Sequence, residues 1–103
     1  MRFSIIIPSW NNYEYLKICI NSIKKNSSTS HDINVHLNEG NDGSKDFLLK
    51  NKIQFTQSEK NIGMCSAVNS ASKLSETDYI LYAHDDMYFL PEWDIFLKDE
   101  IKK

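Results

Sequence analysis

Basic charge, glycine, cysteine and long apolar stretches are all scarce in this sequence, and each shortage removes a class of function. Lys and Arg total 12 against 14 Asp and Glu, a net charge of -2 in 103 residues, so there is no cationic field to neutralise a nucleic-acid backbone. Nucleic acid is therefore not an expected partner. The run Ile5-Ile6-Ile7 is bounded by Ser4 and Pro8, far short of the roughly 18 to 20 apolar residues that span a bilayer. Met1-Arg2 leads into it without the h-region of a signal peptide. Two cysteines, Cys19 and Cys65, show neither CxxC nor Cys/His metal spacing and are expected to be reduced core thiols of a cytosolic protein. The three glycines, Gly40, Gly43 and Gly63, fall in two loops and form neither GxGxxG nor GxxxxGK[ST], which excludes the dinucleotide fingerprint and the Walker loop.

What is present is a regular alternation. Phe3 to Pro8, Ile33 to Leu37, Ile53 to Thr56 and Tyr79 to Ala83 are short runs rich in β-branched or aromatic residues, bounded by Asn, Asp, Gly or Ser, and read as strands. Leu16, Cys19, Ile20 and Ile23 recur at helical spacing after the first, with Asn11 and Glu14 resembling a capping box and Asn26 to Ser30 ending the helix. Met64, Ala67, Val68, Ala71 and Leu74 repeat the pattern after the third strand, and Trp93, Phe96, Leu97 and Ile101 after the fourth, behind Pro91. A short helix over Ser44 to Lys50 completes the order β-α-β-α-β-α-β-α.

Strands alternating with helices imply parallel pairing through right-handed crossovers, hence a doubly wound, mainly parallel α/β sheet forming one domain over residues 1–103. A chain this short buries only about 60 to 70% of its unfolded surface and supports one core. In a 3-2-1-4 strand order the switch point lies between strands 1 and 4, and ligands bind beyond the strand ends there. Ser9-Trp10-Asn11-Asn12 and His84-Asp85-Asp86 would then face one crevice.

On its own, His84-Asp85-Asp86 reads first as a solvated turn with one Asp capping the next helix. Its adjacent carboxylates at a strand end also suit a hard divalent cation, Mg²⁺ or Mn²⁺, which uses one or two carboxylates plus substrate phosphates. The segment Asn38-Glu39-Gly40-Asn41-Asp42-Gly43-Ser44 reads by itself as a pair of turns; its acidic and amide groups suit hydroxyl and base-edge recognition better than phosphate.

Taken together, Phe3-Ser4-Ile5-Ile6-Ile7-Pro8-Ser9-Trp10-Asn11, the acidic Gly/Ser loop after strand 2, Asn61-Ile62-Gly63 opening a helix, and His84-Asp85-Asp86 followed by Pro91 and Trp93 resemble the start of family 2 glycosyltransferases of the GT-A fold, across essentially the whole chain. The resemblance implies a metal-assisted, inverting, hexosyltransferase-like enzyme that takes a sugar from a nucleotide diphosphate donor, most simply a UDP-sugar, to a carbohydrate or lipid-linked acceptor. It places Pro8, Ser9, Trp10, Asn11, Asn38, Glu39, Asn61, Gly63 and Asp85 at the nucleotide. Asp86 and His84 fall at the ends of a DxD-like metal motif. Asn38 replaces a frequent Asp and His84 replaces the first Asp of that motif, so Asp86 becomes the principal metal ligand.

Family members continue into an acceptor-binding half that supplies the catalytic base. The chain is therefore expected to be the donor-binding part of a truncated enzyme, inactive alone, prone to self-association through apolar surface at a sheet edge and the last helix, and cytoplasmic, at the inner face of a membrane through its acceptor. Two alternatives stand beside it: a non-catalytic nucleotide-binding or interaction module, and a receiver-type signalling domain. The latter would carry its acidic pair near the end of strand 1, where Pro8-Ser9-Trp10 stands instead.

Overall fold

The computed structural model describes residues 2–102; Met1 and Lys103, the ends of the expected domain, lie outside the described residues. The elements run β1 (Phe3–Trp10), α1 (Tyr13–Asn26), β2 (Asp32–Asn38), α2 (Ser44–Lys50), β3 (Gln54–Ser58), α3 (Met64–Ser72), β4 (Tyr79–Tyr82) and α4 (Trp93–Lys102). All strand pairs are parallel and the sheet order is β3-β2-β1-β4. The expected order thus holds, and it differs from the 2-1-3-4-5 order of receiver-like folds.

β1 is central, and its side chains alternate between two unlike faces. Phe3, Ile5 and Ile7 join Val35 and Leu37 of β2 on one face, against Leu16, Cys19, Ile20 and Ile23 of α1, Leu48 of α2 and Phe89. Trp93, Leu97 and Ile101 of α4 pack against the same cluster. Each fully buried Ile contributes about 1.5–3 kcal/mol relative to exposure. The opposite face carries Ser4, Ile6, Asn34, His36 and Asn38, all buried, beneath Ala67 and Ala71 of α3. Hydrogen bonds close much of this second face: Ser4 Oγ with Thr77 Oγ1 at 2.7 Å, Asn34 Nδ2 to Ser75 Oγ at 3.3 Å, and His36 with Thr56 Oγ1 at 2.7 Å and Ser58 Oγ at 3.0 Å.

The strands run past or short of their expected ends in a way that shapes the site. β1 continues through Pro8 to Trp10, β3 begins at Gln54, and β4 stops at Tyr82. The Ala83 amide donates to the Ile6 carbonyl at 2.9 Å, so the backbone groups of Ile6, and by alternation those of Pro8, face the β4 side. Pro8 lacks a ladder donor, but the last β4 partner is Tyr82, opposite Ile6. The missing N–H therefore falls where β4 has already left the sheet, and the two strands part into a crevice.

Three local expectations are corrected. The Asn11–Glu14 capping box does not form: the cap of α1 is Asn12, without a side-chain hydrogen bond, and Asn11 sits at φ 47°. Asp42 instead supplies the cap from the loop after β2, accepting the Tyr13 amide at 2.9 Å. Cys65 is exposed, not a core thiol, and Met64 is exposed as well. The reason is that the residues α3 buries fully are the small Ala67 and Ala71, in its middle and last turns, which leaves its first turn over the crevice. Cys19 is buried as expected, and both cysteines are free thiols.

Among the described residues no helix is long and apolar enough to cross a membrane. Tyr79, Ile80 and Tyr82 on β4, and Ile95 and Phe96 on α4, are exposed, at the sheet edge and helix where apolar surface was expected.

Candidate functional site

The parting of β1 from β4 opens a cleft of about 280 Å³ lined by Pro8, Ser9, Trp10, Asn12, Asn38, Asn61, Gly63, Met64, Tyr82, His84 and Asp85. Eight of the eleven residues singled out from the sequence lie on this wall. Asn11, Glu39 and Asp86 do not: Asn11 is exposed in the β1–α1 turn, Glu39 borders the next recess, and Asp86 is exposed on the same turn as Asp85. A larger cleft of about 330 Å³ opens among Arg2, Lys24, Asp32, Lys52 and Glu76. It lies at the strands' amino ends, away from the edge where folds of this kind present ligand-binding loops.

Ser9 and Asp85 join the two sides of the cleft directly, Ser9 Oγ donating to Asp85 Oδ2 at 2.8 Å. One carboxylate oxygen is thereby fixed while Oδ1 has no part in that bond. His84 packs edge-on against Tyr82, ring centroids 5.0 Å apart, with Nδ1 3.3 Å from the Tyr82 hydroxyl. The same hydroxyl donates to Met64 Sδ at 3.0 Å. Burial pushes the Cys19 thiol behind this loop up to about 12, and the charges of Asp85 and Asp86 add to the effect. Burial, then Asp85 and Cys65, raises the Tyr82 hydroxyl as well.

Across the cleft, the Trp10 indole N–H donates to the Glu39 carboxylate. Glu39 is held in a three-residue turn, at φ 68°, closed by the Gly40 amide on the Asn38 carbonyl at 2.9 Å. A non-glycine residue in that region costs about 1–3 kcal/mol, offset here by the Glu39 amide on Ser58 O at 2.9 Å and Gln57 Nε2 on Glu39 O at 2.8 Å. Asn38 Oδ1 accepts the Ile62 amide at 2.9 Å, and Asn61 Oδ1 accepts the Gly63 amide at 2.9 Å. Asn38 and Asn61 thus shape the cleft wall as well as line it. Asp42 in the same acidic loop is a helix cap: burial alone would raise its carboxyl, but bonds from Ser44 and the Tyr13 amide outweigh burial and hold it below the usual range.

The donor set suits a divalent cation that shares its ligation with phosphate oxygens. Asp86 and the second oxygen of Asp85 offer hard oxygen donors on the turn that follows His84. Among the described residues no group of three or more His, Cys, Asp and Glu side chains is placed so as to hold a metal ion by itself, so ligation here would depend on phosphate oxygens. Asn12, Met64 and Tyr82 line the cleft without having been singled out. Tyr82 could have been found as the last β4 residue on the face of Ile6 and Trp10, whereas Met64 was hidden by its helical spacing with Ala67 and Ala71.

Parallel βα units with polar loops at the switch point define a doubly wound α/β fold of the GT-A kind. The chain belongs to glycosyl transferase family 2, which its residues 4–103 match. Among solved structures, it is similar to S. aureus TarS 1-349, with TM-score 0.81 and 24% identity over 99% of this chain and 32% of that one. The same protein in complex with UDP matches with TM-score 0.80 and 27% identity over 99% and 31%, and in complex with UDP-GlcNAc with 0.81 and 24% over 99% and 30%. This chain spans about a third of the length of those structures.

Proposed function

We propose that this chain binds the nucleoside diphosphate of a sugar donor, a UDP-sugar, and forms the donor half of a metal-assisted, inverting transfer to a carbohydrate or lipid-linked acceptor. The observation that carries the proposal is the Ser9–Asp85 bond, which brings the end of β1 and the loop after β4 to one cleft wall. The UDP and UDP-GlcNAc complexes of TarS support the choice of ligand.

Trp10, Asn38 and Glu39 form the nucleoside side, with a broad aromatic face, an amide and a carboxylate for base and ribose. Pro8 and Gly63 keep the floor free of bulk, and Asn11 bounds the turn into α1. Asp86, with Asp85 and His84, would hold Mn²⁺ or Mg²⁺, which when bound supplies positive charge for the departing diphosphate. Ser9 keeps Asp85 turned to that side. The acceptor and a catalytic base belong to residues outside positions 1–103, so transfer by this chain alone is not expected; its exposed β4 and α4 apolar residues give it a tendency to self-associate. A cytoplasmic location beside the membrane face that carries the acceptor follows from the same proposal.

Isothermal titration of UDP with and without Mn²⁺ tests it. Wild type should bind more tightly with Mn²⁺; Asp86→Ala should abolish that difference, Asp85→Ala should reduce it less, and Glu39→Ala should weaken binding equally in both conditions. Equal wild-type affinity with and without metal, or an Asp86→Ala variant indistinguishable from wild type, would leave the acidic tripeptide a solvated turn.

A further inference from the structure

The ten residues 83–92 that join β4 to α4 contain no helix or strand, yet they carry His84, Asp85 and Asp86. Their course is set largely by one side of α1. Ser22, 2% exposed in the core-facing stripe of that helix, donates to the Cys19 carbonyl at 2.6 Å and accepts the Phe89 amide at 2.9 Å. Asn26 Nδ2 donates to the Phe89 carbonyl at 2.6 Å, and the Asn26 carbonyl accepts the Glu92 amide at 3.1 Å. Cys19 Sγ reaches the His84 carbonyl at 3.7 Å. Positions 19, 22 and 26 lie on one helical face, so a single rail meets the loop at 84, 89 and 92.

An apolar core helix has no packing reason to place Ser at position 22 between Cys19 and Ile23. A buried hydroxyl there requires partners: its proton goes to the Cys19 carbonyl of its own helix, and its lone pair accepts the Phe89 amide of the loop. Phe89 is gripped at both its N–H and its C=O, while its ring is buried against Trp93 at 4.8 Å. Met87, Tyr88 and Leu90 are exposed; Met87 closes the turn locally, its amide donating to the His84 carbonyl and its Sδ accepting the His84 amide, both at 3.3 Å, while Ser22 and Asn26 anchor the segment to α1.

We propose that Ser22 and Asn26 are positioning residues for the donor site: by clamping Phe89 they fix how far Asp85 and Asp86 advance toward Ser9, and so set metal-dependent nucleotide affinity without lining the cleft. The proposal rests on UDP binding at this cleft, and the experiment separates the two. Ser22→Ala removes the acceptor for the Phe89 amide. Asn26→Asp keeps the shape but removes the donor, at a position less buried than Ser22.

Two readouts are taken on the full chain. Amide hydrogen exchange of the free protein should rise about tenfold or more across 83–92 in both variants, as expected for loss of one or two buried hydrogen bonds, and stay unchanged in β1 and β2. UDP affinity with Mn²⁺ should fall about tenfold while metal-free affinity is kept, since one such bond corresponds to roughly that factor. In an Asp86→Ala background Ser22→Ala should cause no further loss, because both act on the same contact. Leu48→Ala, a cavity variant under α2, controls for lost stability and should leave the metal response intact.

Unchanged exchange in 83–92, or a fall in affinity that is equal with and without Mn²⁺, would overturn the positioning role. If wild type binds no UDP, donor binding at the cleft fails instead, and if it binds UDP equally with and without Mn²⁺, the metal role of the acidic turn fails. The exchange data still decide whether α1 holds the loop.

Discussion

Ser9 on the central strand and Asp85 beyond the edge strand are hydrogen-bonded at 2.8 Å although 76 positions apart. Ser9→Ala should release Asp85 to rotate, and the loss of a hydrogen bond to a charged group, about 1.5–3 kcal/mol, should appear as a roughly tenfold or greater weakening of UDP binding with Mn²⁺. Ser9→Thr keeps the hydroxyl and should retain most of the affinity. Titration calorimetry of the two variants checks this.

Trp10 is 56% exposed beside the cleft, whereas Trp93 is packed among Phe3, His31 and Phe89. Binding of a nucleoside should therefore change the emission of Trp10 and leave Trp93 nearly constant. Trp10→Phe should erase the fluorescence response with modest loss of affinity. Trp10→Ala should cost about 1–3 kcal/mol, the usual worth of a base stacked on an aromatic ring.

Parallel pairing was legible because βα alternation leaves few topologies; the 3-2-1-4 order came only with the family resemblance, and given that order the ends of the apolar runs at Pro8 and Ala83 located the shared crevice. Long-range polar pairing was not. Asp42 capping α1, Ser22 holding Phe89 and Asp94 gathering the α1–β2 loop each join residues 29 to 67 positions apart, and periodicity carries no signal for such pairs. The exposure of Met64 and Cys65 was hidden for another reason. Helical spacing identifies a stripe, but the small Ala67 and Ala71 decide how much of it reaches the sheet.

His36 is buried on the α3 face between Thr56 and Ser58, and burial lowers its pKa from the ordinary 6.5. The unfolded chain then takes up its proton at a higher pH than the folded one. Its contribution is complete above pH 6.5 and declines as the pH falls from there toward the lowered folded value. His36→Gln, which keeps hydrogen-bonding capacity, should flatten that part of the stability curve. Urea midpoints measured between pH 7.5 and 5 check the slope.

Asp94 is fully buried and accepts the Ser28 amide and hydroxyl at 2.9 Å, the Thr29 amide at 3.3 Å and His31 Nε2 at 2.8 Å. Burial alone would raise its carboxyl, but the Ser28 amide, then His31, the Ser28 hydroxyl and the Thr29 amide, outweigh it and hold the group far below its ordinary 3.8. That stabilisation is complete above the ordinary value and is lost as the pH falls below it toward the depressed one. Asp94→Asn should lower stability at pH 7 by about 1.5–3 kcal/mol and reduce the loss below pH 4. Chemical denaturation at pH 7 and at pH 3 measures both.

Gly63 stands at φ 85°, ψ 165° at the mouth of α3, and a Cβ built there would meet nothing within 4 Å. Position 63 therefore selects for handedness and not for size. An L-residue must fight its own backbone, whereas a D-alanine introduced by chemical ligation adopts the mirror-image region at ease. Its methyl replaces the α-hydrogen opposite to the one an L-residue would replace, and becomes a fixed ruler for how closely a bound molecule approaches the start of the helix.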